Sequence, residues 1–238
     1  EISHCMSNQV LESFISQYLK LGGRGVGFSW QGGEPMTAGI DFFRKILKFQ
    51  IKYAKAGQEI GNAVQTNALL IDEEWAKLFS EYKFLIGVSI DGTKDFHNLY
   101  RGKGTHERVL ESIQILRNFN VPFNTLTVVN NITSEKPEEI CDFFISNNIH
   151  YLQFIPCVEM DYETNEIAPF SVKPEQYAKF LCKLFDKWYN KGKPYFSVRD
   201  FDNILLRYMK YDSELCQFKK ECGEYIVLEY NGDVYPCD

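Results

Sequence analysis

An α/β fold, and within that class a partial (β/α) barrel of the TIM type, is predicted by three features of this sequence. Short apolar runs of strand length alternate with amphipathic helical stretches through most of the chain. The runs FLIGVSI and TLTVV are apolar almost without interruption, which suits strands of a parallel sheet covered on both faces. Polar residues gather where the runs end, which is where a barrel of this kind carries its function.

Residues Ser7 to Leu21 set Val10, Leu11, Phe14, Ile15, Tyr18 and Leu19 at helical spacing, and Gly22-Gly23 supply the stop. Val26 to Trp30 reads as a strand, and Thr37 to Ala56 as a helix with Ile40, Phe43, Ile46 and Leu47 on one face. Strands are then expected at 63–66, 84–90, 123–129 and 151–158, alternating with helices at 72–82, 105–119, 137–147 and 174–190. Pro137 and Pro174 each open a helix at its first position, where the missing N–H costs nothing. Five βα units therefore follow one another. The chain opens on a helix with no strand before it, so the first strand of the barrel is expected upstream of Glu1, and the barrel is expected to lack it.

Beyond about Lys193 the pattern changes to a short run from Phe196 to Arg199, a helix from Asp200 to Tyr211, and the stretch EYIVLEYNGDVY. There Asn231-Gly232, between β-rich flanks, signals a hairpin. Two units are expected: an N-terminally truncated barrel over 1–195, and over 196–238 the start of a small cysteine-rich β-hairpin module.

A chain of 238 residues with 45% hydrophobic and 15% aromatic content can bury a full core. Its net charge of −6 leaves no broad basic surface, so neither nucleic acid nor an anionic membrane is the expected partner. The longest apolar runs have only the length of a strand. The chain begins at Glu1, meets its first methionine at Met6 and stops at Cys237-Asp238, the pattern expected of a fragment cut at both ends, in which a missing signal peptide is uninformative. A cytoplasmic protein is expected.

The stretch FSWQGGEP ends an apolar run on two glycines, a carboxylate and a proline. Glycine lets a ligand lie against bare backbone, and Pro35 restricts Glu34 to an extended conformation. Alone this is a tight strand-to-helix turn; the further strand ends Gln65-Thr66-Asn67, Ser89-Ile90-Asp91 and Pro156-Cys157-Val158 make it part of a set. Ser89 and Asp91 are two apart and share one side of an extended strand. Arg101, in a loop before Gly102, could take a ligand carboxylate in a two-pronged contact. Such a site would hold an amine, a carboxylate and hydroxyls together, although each residue singly is equally a turn or capping group. Of the four histidines only His97, in the loop after Asp91, falls near this proposed mouth, and it reads as a solvated loop residue sooner than as a catalytic one.

Of the seven cysteines, Cys216, Cys222 and Cys237 crowd into the last 23 residues, which argues for metal ligation over disulfides. Their C-x5-C-x14-C spacing matches no common zinc pattern, and three thiolates leave a tetrahedral site one ligand short. Cys157, a histidine or a residue past Asp238 would complete it. Asp238, beside Cys237, could act as a base or be a simple turn residue. Cys5, Cys141 and Cys182 carry no pattern.

Taken together, WQGGEP, QTNALLIDEEWAKLFSE, VSIDGTKDFHNLYR, YLQFIPCVE and NGDVYPCD resemble the anaerobic sulfatase-maturating enzymes. These belong to the radical S-adenosylmethionine superfamily and carry a SPASM-type cysteine-rich extension. The resemblance implies that Gly32, Gly33 and Glu34 receive the methionyl amine of S-adenosylmethionine, mainly through backbone, and that Gln31 faces the reacting centre. Ser89 and Arg101 would hold the methionyl carboxylate or ribose, and Val158 would touch the adenosine. Asn67 and Asp91 join the cofactor-binding set as polar strand-end residues. Cys216, Cys222 and Cys237 would be three ligands of an auxiliary [4Fe-4S] cluster, with Asp238 the adjoining acid/base.

The activity implied is oxidation of a cysteine or serine in a sulfatase polypeptide to formylglycine, with electrons from a donor such as flavodoxin or ferredoxin. One departure matters: the family's CxxxCxxC motif, which holds the cluster that cleaves S-adenosylmethionine, has no counterpart here. Its place is expected upstream of Glu1, and the polypeptide alone is expected to be inactive. The alternatives are a radical maturase of another peptide and a noncatalytic barrel that binds a small metabolite or a partner protein.

Overall fold

The structure is a computed structural model and describes residues 5–221, 223 and 225–237. In chain order the elements are α1 (Asn8–Leu21), β1 (Gly25–Trp30), α2 (Ile40–Tyr53), β2 (Glu59–Thr66), α3 (Glu73–Glu81), β3 (Leu85–Ser89), α4 (Lys94–Arg101), α5 (Thr105–Asn118) and β4 (Phe123–Val129). They continue with α6 (Pro137–Ser146), β5 (Tyr151–Pro156), the two-residue strands β6 (Met160–Asp161) and β7 (Glu166–Ile167), α7 (Pro174–Tyr189), β8 (Ser197–Val198), α8 (Arg199–Tyr208), β9 (Val227–Leu228) and β10 (Val234–Tyr235).

Local chemistry sets the helix starts. The Ser7 hydroxyl accepts from the Val10 amide at 3.2 Å, and Asp72 accepts from the Trp75 amide at 3.0 Å, each satisfying a donor that the first helical turn leaves unpaired. In α1, Leu11, Ile15 and Leu19 recur every four residues and are fully buried. Gly22 is required behind them, because a Cβ there would lie 2.4 Å from Val26 Cγ2.

Strands β1, β2, β3, β4, β5 and β8 form one parallel sheet in that spatial order. Because space follows sequence and βα crossovers are right-handed, every connecting helix falls on the same side of the sheet. Ring contacts show it: Phe14 and Tyr18 of α1 pack on Phe28, Phe43 of α2 on Trp30 and Phe84, and Phe144 of α6 and Phe180 of α7 on Phe154. This is the winding of a barrel, and the fold is the predicted partial one.

The second face of the sheet, opposite these helices, is the inner side of the partial barrel. It carries Gly25, Gly27 and Ser29 on β1, Gly61, Ala63 and Gln65 on β2, and Gly87 and Ser89 on β3, aligned by the pairs Gly27 with Gly61, Ser29 with Ala63, and Gln65 with Gly87. On β1 exposed and buried residues alternate strictly from Gly25 to Ser29. The barrel interior is thus small and polar along these strands.

Four expectations need correction. The helix expected from Thr37 to Ala56 is split: residues Pro35–Ala38 form a 3-10 turn, and Gly39 at φ +82° breaks the path before α2. Helix α4 replaces an expected loop; its one buried residue is His97, so apolar periodicity offered no signal. The short β6–β7 hairpin was not anticipated. Residues Ser197 and Val198, placed by composition in the second module, pair with Tyr151 and Leu152 and extend the barrel sheet, so that sheet reaches past residue 195.

The hairpin signal at Asn231-Gly232 is realised. Strands β9 and β10 pair antiparallel, Gly232 takes φ +97°, and the Asn231 side chain accepts from the Asp233 amide at 3.0 Å. No helix among the described residues is long and apolar enough to cross a membrane.

Candidate functional site

The strand ends bring most of the expected residues to one rim. After β1, Gly32 and Gly33 take φ of +97° and +55°, and a Cβ on either would meet nothing within 4 Å. Conformation demands glycine here, and the open space leaves the backbone bare toward a ligand. Gln31 beside them is exposed.

Glu34 is extended, as Pro35 requires, and its carboxylate is fully engaged. One oxygen accepts from the Met36 amide at 3.0 Å and from the Thr66 hydroxyl at 2.8 Å; the other accepts from the Asn67 amide at 2.7 Å. The side chain is therefore a strut between the ends of β1 and β2. Its carbonyl also accepts from the Thr37 amide and hydroxyl at 3.1 and 2.7 Å. Asn67 turns its carbonyl oxygen inward to the Leu69 amide at 3.0 Å, which leaves its NH2 as the polar group available at this strand end.

On the inner face, Gln65 Nε2 donates to Ser89 Oγ at 3.0 Å. This amide fits only because residue 87 is glycine: a Cβ there would lie 2.0 Å from Gln65 Oε1. Sequence reasoning passed over the pair, although a glycine inside the run FLIGVSI is the usual mark of such close approach.

Asp91 is a correction. Its carboxylate was grouped with the cofactor contacts, but its side chain is 7% exposed and fully occupied within the protein. Arg101 Nε and Nη2 reach its two oxygens at 2.5 and 3.1 Å, and the Val128 amide donates at 2.9 Å. The two-pronged contact expected between Arg101 and a ligand is made to Asp91 instead. Arg101 ends helix α4 rather than lying in a loop, and its guanidinium, 26% exposed, is held with its remaining N–H groups available.

His97 is also corrected. It is buried on α4, and its Nδ1 accepts from the Asp91 amide at 3.3 Å. Burial pushes its pKa down to about 4, partly opposed by the nearby Asp91 carboxylate. In the unfolded chain the ring titrates near 6.5, so between pH 6.5 and about 4 the unfolded state binds more protons than the folded one. The stability this group protects is complete above pH 6.5 and declines through that window by about 1.4 kcal/mol per pH unit. Urea unfolding across that range should show the slope, and replacing His97 by Asn should flatten it.

Beyond β5, Val158 is 63% exposed at the rim, an apolar surface suited to a flat ring. Cys157 precedes it, its thiol pushed up by burial and by the carboxylates of Glu159 and Asp91, hence protonated. Cys216 and Cys237 are exposed, while Cys222 and Asp238 lie outside the described residues. Among the described residues no group of three or more His, Cys, Asp or Glu side chains converges as a metal site.

A bare positive-φ backbone turn, a clamped guanidinium and an exposed apolar residue thus meet at the strand ends of a partial barrel. Residues 8–144 match the sequence profile of the Radical SAM superfamily, and the chain belongs to that superfamily.

Within it, the chain is similar to the serine-type anaerobic sulfatase-maturating enzyme of Bacteroides thetaiotaomicron, at 37% identity over 99% of this chain and 61% of that enzyme. The cysteine-type anaerobic sulfatase-maturating enzyme of Clostridium perfringens is 38% identical over 98% of this chain and 65% of the enzyme. A solved structure described as "Native anSMEcpe with bound AdoMet and Cp18Cys peptide" superimposes with a TM-score of 0.92 at 38% identity, over 98% of this chain and 67% of that one. The chain thus spans 61% and 65% of the length of the two curated relatives, whose family is the one the sequence motifs resemble.

Proposed function

We propose that this chain forms the S-adenosylmethionine-binding barrel of an anaerobic sulfatase-maturating enzyme, which oxidises a cysteine or serine of a sulfatase to formylglycine. The observation that carries the reading is identity of 37–38% along 98–99% of the chain to maturases of both types. The strand-end residues fit the cofactor. Gly32 and Gly33 offer an unobstructed backbone for the methionyl amine, Ser89 and Arg101 offer donors for the carboxylate and ribose, and Val158 offers an apolar edge for adenine. When bound and reduced by one electron, S-adenosylmethionine would supply the means of taking one hydrogen atom from the Cβ of the substrate residue, and the auxiliary cluster would take the second electron of the oxidation.

The protein's part is to bind, orient and exclude water. Gln31 faces the reacting end of the cofactor from its exposed position after β1. Cys216, Cys222 and Cys237 supply soft thiolate donors of the kind that hold iron–sulfur clusters, and we assign them to an auxiliary [4Fe-4S] cluster. No residue of this sequence is assigned to the cluster that cleaves the cofactor, since CxxxCxxC does not occur in it. Asp238, next to Cys237, accepts the proton released as the substrate residue is oxidised. A flavodoxin or ferredoxin is the proposed electron donor.

The test is anaerobic incubation of the whole protein, reconstituted with iron and sulfide, with a sulfatase-derived peptide, reductant and S-adenosylmethionine. Formylglycine in the peptide, detected by mass spectrometry, is the expected result. Asp238→Asn should lower formylglycine formation by about 100-fold or more while 5′-deoxyadenosine is still released. Peptide turnover equal to that of the unsubstituted protein would remove Asp238 from the mechanism.

A further inference from the structure

We infer that His97 is a positioning residue of the cofactor site: its Nδ1 fixes the main chain of Asp91, and through Asp91 it aims the guanidinium of Arg101. The inference rests on the reading of Arg101 as a cofactor ligand.

His97 and Arg101 are one helical turn apart on α4 and share a face. Both reach Asp91, His97 at the amide (3.3 Å) and Arg101 at the carboxylate (2.5 and 3.1 Å). One helix therefore grips a single residue at its main chain and at its side chain. The Val128 amide adds a third anchor from β4 at 2.9 Å. The next residue is held as well, since His106 Nε2 lies 3.0 Å from the Gly92 carbonyl, and its ring meets that of His97 edge-on at 5.4 Å. Two imidazoles thus bracket the Asp91-Gly92 peptide unit, one accepting from its first amide and the other donating to its last carbonyl.

The chemistry of these contacts fixes the tautomer. An amide can only donate, so Nδ1 is unprotonated and the ring proton is on Nε2, which is buried and has no protein partner among the described residues. A phenyl ring would fill the same space without burying a polar group, so the use of an imidazole here is its acceptor nitrogen. The groups facing the ring are Asp91, Arg101, His106 and Glu107, and burial outweighs their net influence, which keeps the ring neutral and Nδ1 able to accept.

Two measurements test the role. In protein labelled with nitrogen-15 at its four histidines, His97 should show a bare Nδ1 and a protonated Nε2 from about pH 7.5 to about pH 5.5. Protonation of Nδ1 within that range overturns the inference. In the second measurement, S-adenosylmethionine binding is followed by equilibrium dialysis. Asparagine can place its carbonyl oxygen near the position of Nδ1, whereas glutamine reaches toward Nε2.

His97→Phe and His97→Gln should each weaken binding about tenfold, and His97→Asn should stay within about threefold of the unsubstituted protein. If the phenyl variant does not fold, the Asn and Gln variants carry the comparison. Equal loss in Asn and Gln, or full binding in Gln or Phe, overturns the role. Arg101→Ala serves as the reference. If it binds normally, the cofactor reading of the site falls and the role falls with it; if it binds weakly while His97→Phe binds normally, only the His97 inference is lost.

Discussion

Arg101→Ala is expected to destabilise the barrel by about 3 kcal/mol and to weaken S-adenosylmethionine binding about 100-fold. Two effects combine in one substitution. The Asp91 carboxylate, 7% exposed, would be left charged with the Val128 amide as its one remaining partner among the described residues, and a buried ion whose counterion is removed costs far more than the intact pair contributes. The cationic donor proposed for the cofactor is lost as well. The two effects can be separated by a double variant, Asp91→Asn with Arg101→Gln, which removes both charges and keeps hydrogen-bonding groups. It should recover most of the lost stability in urea unfolding without recovering binding. Recovery of binding by the neutral pair would show that Arg101 acts only as structural support.

Phe43→Ala should cost about 4 kcal/mol, the largest purely structural effect expected. Phe43 is among the largest fully buried side chains, and its ring contacts those of Trp30, Phe42, Trp75 and Phe84. It joins α2 to α3, to β1 and to the residue that precedes β3, so its removal leaves a cavity that no single neighbour can fill. Unfolding by guanidinium should show a lower midpoint with an unchanged slope. A loss below about 1 kcal/mol would mean that the aromatic cluster closes over the gap. The turn at Gly32-Gly33 follows directly from β1, so on the proposed reading of that turn cofactor affinity should fall with the anchoring of the strand.

The site was legible in sequence wherever its chemistry is local. The QGGEP turn could be read because glycine and proline act on their own backbone, and Gly32 and Gly33 adopt the positive φ that only glycine takes freely. The hairpin at Asn231-Gly232 was legible for the same reason. What escaped lies in pairings between distant residues. Glu34 finds Thr66 and Asn67 more than thirty positions away, and Gln65 finds Ser89 across a strand pair, with Gly87 giving it room. Helix α4 escaped because the residue it buries is a histidine, which an apolar pattern does not count. The guanidinium of Arg101 was assigned to a ligand before its partner Asp91 could be seen.

By itself, the sequence determined that βα units wind a partial barrel, that its strand ends are polar, and which superfamily the chain belongs to. Periodicity, turn residues and motif spacing express short-range preferences, and these can be read along a line. Only the tertiary structure decided that Asp91 and Glu34 are internal struts, that His97 is buried and neutral, and that β8 extends the barrel. Those facts depend on strand register and on which groups lose contact with water, and neither exists until the sheet has closed around them.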